Sequence, residues 1–145
     1  MGTKTGNYIS TVIHNHHTRL SQLWAPDAAY INGTYHLIYC AIERSTNVFR
    51  TGIAVSEAPQ GPFTDTGFIA GVEWGQDPAL FVDNDGTPYL FWGSGGGAHV
   101  AQLMPDLRSV VPGTVKDLTK QLPHFYEGPW LFERNGAYYL MCVFY

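Results

Sequence analysis

Charge is scarce in this chain: only 14% of its 145 residues are Asp, Glu, Lys or Arg. Eight Lys and Arg against twelve Asp and Glu leave a formal charge of −4. No basic cluster stands out, which excludes the electrostatic footprint of a nucleic-acid binder. No apolar run approaches the ~20 residues of a membrane helix, so no membrane partner is expected. Residues 1–20 lack the charged-then-apolar layout of a secretory signal, and localisation is left open. Two cysteines, Cys40 and Cys142, both in apolar runs, make no disulfide framework and read as free core thiols. Helical patterning is short: RLSQL (19–23) and DLTKQL (117–122) are the only candidates. Cofactor motifs are equally thin, and no cofactor is expected. GSGGG (93–97) lacks the Lys and following helix of a phosphate loop. It reads as a flexible loop, or one that lets backbone approach a ligand closely. DNDG (83–86) lacks the closing Glu of a calcium loop and reads as a hairpin turn, as does Asn32-Gly33-Thr34 despite fitting a glycosylation sequon. Ser56 and Ser94 have no nucleophile-elbow context. HNHH (14–17) puts His14 and His16 on one face of a strand, but without a nearby carboxylate or Cys it favours a solvated strand over a metal site.

What the chain has is aromatic residues (9 Tyr, 8 Phe, 4 Trp), 16 Gly and 9 Pro. Runs of four to seven residues rich in Tyr, Phe, Val, Ile and Trp, punctuated by Gly and Asn, predict an all-β fold. Three stretches superimpose: DAAYINGTYHLIYCA from Asp27, DPALFVDNDGTPYLFWGS from Asp77, and EGPWLFERNGAYYLMCVFY from Glu127. Each runs acid, small residues or Pro, apolar strand, Asn/Asp-Gly-type turn, aromatic strand. The leading acids are spaced 77 − 27 = 50 and 127 − 77 = 50 residues apart. TGIAVSEAP and GPFTDTGFIAG add a third and fourth strand to the first unit, and HVAQLMP and RSVVPGTV do so for the second. Four-stranded units at a period of 50 are blades of a β-propeller. The expected organisation is one partial propeller: a blade over 22–72, a blade over 73–123, half a blade over 124–145, and residues 1–21 left from a preceding blade.

If the first strand of each blade is innermost, Asp27, Asp77 and Glu127 converge at one end of the central channel. Like charges gathered in a partly desolvated funnel repel, so at least one carboxyl there should hold its proton near neutral pH. Paired carboxyls of split proton affinity are what glycoside hydrolysis needs, one to protonate the leaving oxygen and one to activate water. A single acid at a strand entrance more often caps a turn or solvates a rim. Three at one repeat position, two of them beside Pro or Gly-Pro, favour function.

WAPDAAYINGTYHLIY, DPALFVDNDGTPYLFWG and EGPWLFERNGAYYL resemble the defining segments of glycoside hydrolase family 43, over most of residues 22–145. The spacer GIAVSEAPQGPFTDTG also resembles that family's link between blades, and YLFWGSGGGAHVAQL is similar to members acting on arabinoxylan side chains and xylosides. The resemblance implies five-bladed propellers that hydrolyse arabinose- and xylose-containing polysaccharides with inversion. It makes Glu127 the general acid and Asp77 the carboxylate that tunes it and helps hold the sugar. It makes Trp24 an aromatic wall of the sugar pocket, with Asp27 beside it. The family's catalytic base is an Asp about one repeat upstream of WAPD, whereas residues 1–23 contain no Asp or Glu. The expectation is therefore about 2.5 of five blades, with the base absent and activity impaired. A pentose-binding module without turnover, or a piece with no function of its own, is the alternative. Open blade faces carrying Tyr35, Tyr89, Phe91, Tyr138 and Tyr139 further predict a homodimer or larger homo-oligomer.

Overall fold

The computed structural model describes residues 13–14 and 20–145, with only the backbone at Ile13 and His14. The described residues form eleven strands in three sheets and no helix. The first sheet runs β1(Ile13–His14), β5(Phe63–Phe68), β4(Val48–Ser56), β3(Thr34–Glu43), β2(Leu20–Ile31) in spatial order. The second is β6(Ala79–Val82), β7(Pro88–Ser94), β8(Gly97–Gln102), β9(Lys116–Asp117), and the third is the hairpin β10(Phe125–Arg134), β11(Ala137–Phe144). All pairings are antiparallel except β1 on β5. The all-β expectation is met.

Local chemistry explains the hairpins. Asn32 (φ 50°) and Gly33 (φ 83°) join β2 to β3, and Asn135 (φ 55°) and Gly136 (φ 77°) join β10 to β11. Two consecutive left-handed residues make the tight turn whose twist matches the flanking strands, and Asn-Gly supplies them at least cost. Alternation then sorts the side chains. Ile38 and Ile53 point from the first sheet to the second, where they meet Leu80, Leu90, Trp92 and Ala101. Tyr39 and Ala54, one residue along, point to the opposite face and pack with Leu20 and Phe63. The Tyr39 ring fills the space over Gly52, where an added Cβ would lie 2.4 Å from it, and its hydroxyl donates to Asp65 Oδ1 at 2.7 Å.

Four local expectations need correction. Residues 20–23 of RLSQL are strand, not helix: Leu20, buried, opens β2 and pairs with Glu43 of β3, while Arg19 lies outside the described residues. DLTKQL starts on the last residue of β9, Asp117, and then makes one turn, closed by Gln121 and Leu122 N–H groups donating to Leu118 O at 3.0 Å. RSVVPGTV does not supply the second sheet's fourth strand. Ser109 and Val110 make single bridges to Ala70 and Leu103, and Pro112 with Gly113 (φ 80°) turns the chain before pairing can extend, so Lys116–Asp117 takes that place. Both cysteines are free, but only Cys40 is fully buried; Cys142 lies half-exposed on the third sheet. His16 and His17 lie outside the described residues.

Candidate active site

Strands β2 and β10 each carry two bulges, the second of them at a proline, and the chain bends in the same way ahead of β6. On β2, Trp24 faces Cys40 and Asp27 faces Ile38, three residues against two. On β10, Glu127 faces Val143 and Trp130 faces Met141 with the same excess. Ahead of β6, Gln76 O accepts the Gly93 N–H at 2.9 Å, and Ala79 then faces Phe91. At these three bends a left-handed residue precedes a proline: Ala25 (φ 39°) before Pro26, Asp77 (φ 49°) before Pro78, Gly128 (φ 65°) before Pro129. Proline has no N–H to give a ladder, so the bulge places it where none is needed, and the bend re-aims the flanking side chains.

This geometry corrects the equal spacing of the acids. Asp27 follows its proline, Asp77 precedes its proline, and Glu127 stands two residues before its own. Counted from the bulges, Glu127 corresponds to Trp24 and Gln76, while Asp27 corresponds to Trp130. The three acids occupy three different positions on three similar bends.

The bends meet. Ala25-Pro26-Asp27, Asp77-Pro78-Ala79 and Gly128-Pro129-Trp130 line one open hollow of ≈ 150 Å³. Burial pushes the Asp77 carboxyl up from its ordinary value, the nearby Glu127 carboxylate pushes it further, and the Gly128 N–H opposes both. Of the three acids expected to converge, Asp27 and Asp77 line the hollow, and Glu127 acts on Asp77 through its charge. Asp27 has a different attachment: its Oδ2 accepts the Leu80 N–H at 2.9 Å and its Oδ1 the Ala28 N–H at 2.9 Å. It thereby ties β2 to the unpaired side of β6. Trp24 is half-exposed, its ring tilted on Phe49 with centroids 5.2 Å apart, and its indole stands beside the hollow rather than in its wall.

Sequence reading missed three contributors. Cys40 lies beneath the site, its thiol donating to Trp24 O at 3.5 Å; burial pushes that thiol up to about 12, against a hydrogen bond from the Asp77 backbone. Trp130 closes the hollow, and counting back from the Asn-Gly turns would have matched it to Asp27. The Ser94 hydroxyl donates to Glu127 Oε2 at 3.4 Å, a contact no sequence signal announces. Among the described residues no group of His, Cys, Asp and Glu is arranged to hold a metal ion.

Carboxyls delivered by bulged first strands of successive blades, with indoles beside them, define a propeller of the glycosidase class. The sequence matches Glycosyl hydrolases family 43 over residues 7–144. It is 49% identical over 73 residues to Xylosidase/arabinosidase 43A of Humicola insolens, spanning 50% of this chain and 22% of that protein. It is 32% identical over 143 residues to an arabinoxylan arabinofuranohydrolase of Bacillus subtilis (strain 168), spanning 80% of this chain and 27% of the relative. The crystal structure of CoXyl43, a GH43 β-xylosidase/α-arabinofuranosidase from a compost microbial metagenome, superimposes with a TM-score of 0.71 at 28% identity. That match covers 82% of this chain and 48% of CoXyl43. The chain belongs to glycosyl hydrolase family 43, and its sheets are blades of that family's five-bladed propeller. It spans about a quarter of the length of these two curated relatives.

Proposed function

We propose that this chain carries the acid half of an inverting, exo-acting glycoside hydrolase that removes α-L-arabinofuranosyl or β-D-xylosyl ends from plant polysaccharides. The observation that carries the reading is Asp77 in the wall of the hollow, pushed up by burial and by the charge of Glu127, whose chain neighbour Gly128 lines the same hollow. The names of the relatives, xylosidase/arabinosidase and arabinoxylan arabinofuranohydrolase, support the substrate class. Glu127 gives its proton to the leaving oxygen, Asp77 tunes it and bonds the sugar, Trp24 offers a ring face, and Asp27 borders the sugar from its anchored position. Inversion also needs a base on the far side of the sugar, roughly 6.5–9.5 Å from the acid. Residues 1–23 supply no Asp or Glu for it. Acid–base assistance is worth ~10²–10⁴-fold, so the 145 residues alone should turn over slowly. The test is hydrolysis of nitrophenyl α-L-arabinofuranoside and β-D-xyloside. Weak turnover that disappears in Glu127→Gln is expected; turnover indifferent to that substitution overturns the acid assignment.

A pentose-binding role without cleavage is the second reading, favoured by the half-exposed Trp24 ring beside acceptor carboxylates. Calorimetric titration with arabinose and xylose oligomers separates the two: binding without hydrolysis supports it, and a flat trace at millimolar sugar removes it.

Assembly follows from the third sheet. Tyr139, Met141, Val143 and Phe144 are exposed, and among the described residues β11 has no second strand beside it. Tyr35, Tyr89 and Phe91 are only half-exposed, so the apolar exposure concentrates on β10–β11. In a longer protein the following strands would cover this face; for the 145 residues alone we propose that a second copy does. Light scattering at micromolar concentration should give a dimer or larger species, and a monodisperse monomer would refute it.

A further inference from the structure

The turn between β7 and β8 touches the surroundings of both carboxyls at once. Gly93 N–H donates to Gln76 O at 2.9 Å, next to Asp77 in the chain. Gly96 N–H donates to Tyr126 O at 3.1 Å, next to Glu127. Between them, the Ser94 hydroxyl reaches Glu127 Oε2 at 3.4 Å. The approach is tight: a Cβ on Gly93 would stand 2.2 Å from Gly97 O and 2.8 Å from Phe125 Cε1. GSGGG is thus not a free loop: Gly93 and Gly96 are tied to Gln76 and Tyr126. Its glycines let the end of β7 lie directly against β10.

We propose that Ser94 is a positioning residue: it holds the Glu127 side chain toward Asp77, and the Gly93–Gly96 segment is the spacer that sets the separation of the two carboxyls. The roles of Glu127 and Asp77 rest on the function proposed above; the geometry of the pair does not. While both are ionised, Asp77 can only repel Glu127, and a glutamate on flexible torsions would swing toward solvent without a tie. A hydroxyl suits the tie because it donates to a carboxylate and, by rotating, accepts from a carboxylic acid. The contact therefore survives both states that a proton donor passes through.

The experiment is a carbon-13 carboxyl NMR titration of Asp77 in the 145-residue chain, as wild type, Ser94→Ala, Ser94→Thr and Glu127→Gln. Glu127→Gln removes the neighbouring charge and sets the full downward movement of the Asp77 midpoint. Ser94→Ala is expected to move it down by a clear fraction of that amount, with the fold unchanged by circular dichroism. Ser94→Thr, which keeps the hydroxyl, is expected to leave it in place. Cys40 on β3 and Asp27 on β2, the other titratable groups around Asp77, are the same in all four proteins. An Asp77 midpoint identical in Ser94→Ala and wild type overturns the proposal. If Ser94→Ala does not fold, Ser94→Cys, similar in size but a weak donor, is read on the same scale. Nitrophenyl glycoside turnover indifferent to Glu127→Gln would sink the acid assignment and leave this titration intact.

Discussion

Hairpins β2–β3 and β10–β11 share one sequence pattern, one Asn-Gly turn and two bulges each, yet their second strands end in opposite surroundings. Counted from the turns, Ile38 corresponds to Met141 and Cys40 to Val143. Ile38 and Cys40 are 0% exposed, whereas Met141 is 57% and Val143 53% exposed. Nothing in the strands themselves makes this difference. β3 lies between β2 and β4 with the second sheet packed over Ile38, while among the described residues β11 has one strand neighbour and Met141 is left exposed. An apolar strand is a capacity for burial, and the neighbouring sheet decides whether it is used.

The sharpest way to break the correspondence is to truncate both members. Ile38→Ala should lower unfolding free energy by about 2–5 kcal/mol, the cost of a cavity in a packed core. Met141→Ala should stay within about 0.5 kcal/mol for the monomer at high dilution, as exposed substitutions do, and cost more only at concentrations where a second copy covers β11. Urea denaturation of the two variants measures the gap, and equal losses would mean that the β11 face is covered in solution.

A step smaller, the tight and open glycines should separate in the same way. Gly93→Ala forces a Cβ against backbone and the Phe125 ring, an overpacking worth about 1–3 kcal/mol. Gly86→Ala meets no atom within 4 Å and costs only its left-handed φ of 86°, about 1 kcal/mol. Thermal unfolding orders them, and a reversed order would contradict the close approach of β7 to β10.

Asp27 tests how the first two sheets are joined. Asp27→Ala leaves the Leu80 N–H without its acceptor, and about 1–3 kcal/mol of stability should go with it. Asp27→Asn retains an acceptor oxygen and should lose less than half as much. Equal losses in chemical denaturation would show that charge, not the hydrogen bond, joins β2 to β6.

The smallest effect concerns pH. The native state holds the Asp77 proton more tightly than the unfolded chain does, because burial and Glu127 disfavour its charge. Its contribution to stability is full below the ordinary carboxylate range near pH 4 and is lost as pH rises through the native midpoint. Asp77→Asn abolishes that loss, so the variant's melting temperature relative to wild type should be higher at pH 7 than at pH 3.5. A pH-independent difference between the two proteins would count against the buried pair.

Much of this was legible from residue order. Asn32-Gly33 and Asn135-Gly136 announced their turns because two left-handed residues in succession are cheap only for such pairs. Alternating aromatic and aliphatic runs announced strands, and the return of the pattern every 50 residues announced blades. Asp77 and Glu127 stood out as acids placed against Pro and Gly-Pro where a strand begins. RLSQL misled because one buried leucine in a short run fits a helix period as well as a strand period until the pairing partner, Glu43, is known. RSVVPGTV misled because β-propensity was judged without its Pro-Gly turn.

The sequence alone determined that this chain is β throughout, that it turns where Asn-Gly and Gly permit, and that three acids stand near strand entrances, since these depend on torsions and periodicities within a few residues. Only the tertiary structure decided which acids meet. A bulge adds one residue to a strand, and whether a carboxyl precedes or follows its proline settles whether it faces Glu127, as Asp77 does, or fastens Leu80, as Asp27 does. Ser94 and Cys40 became part of the site for the same reason: hydrogen bonds between separate sheets depend on distances that no local pattern encodes.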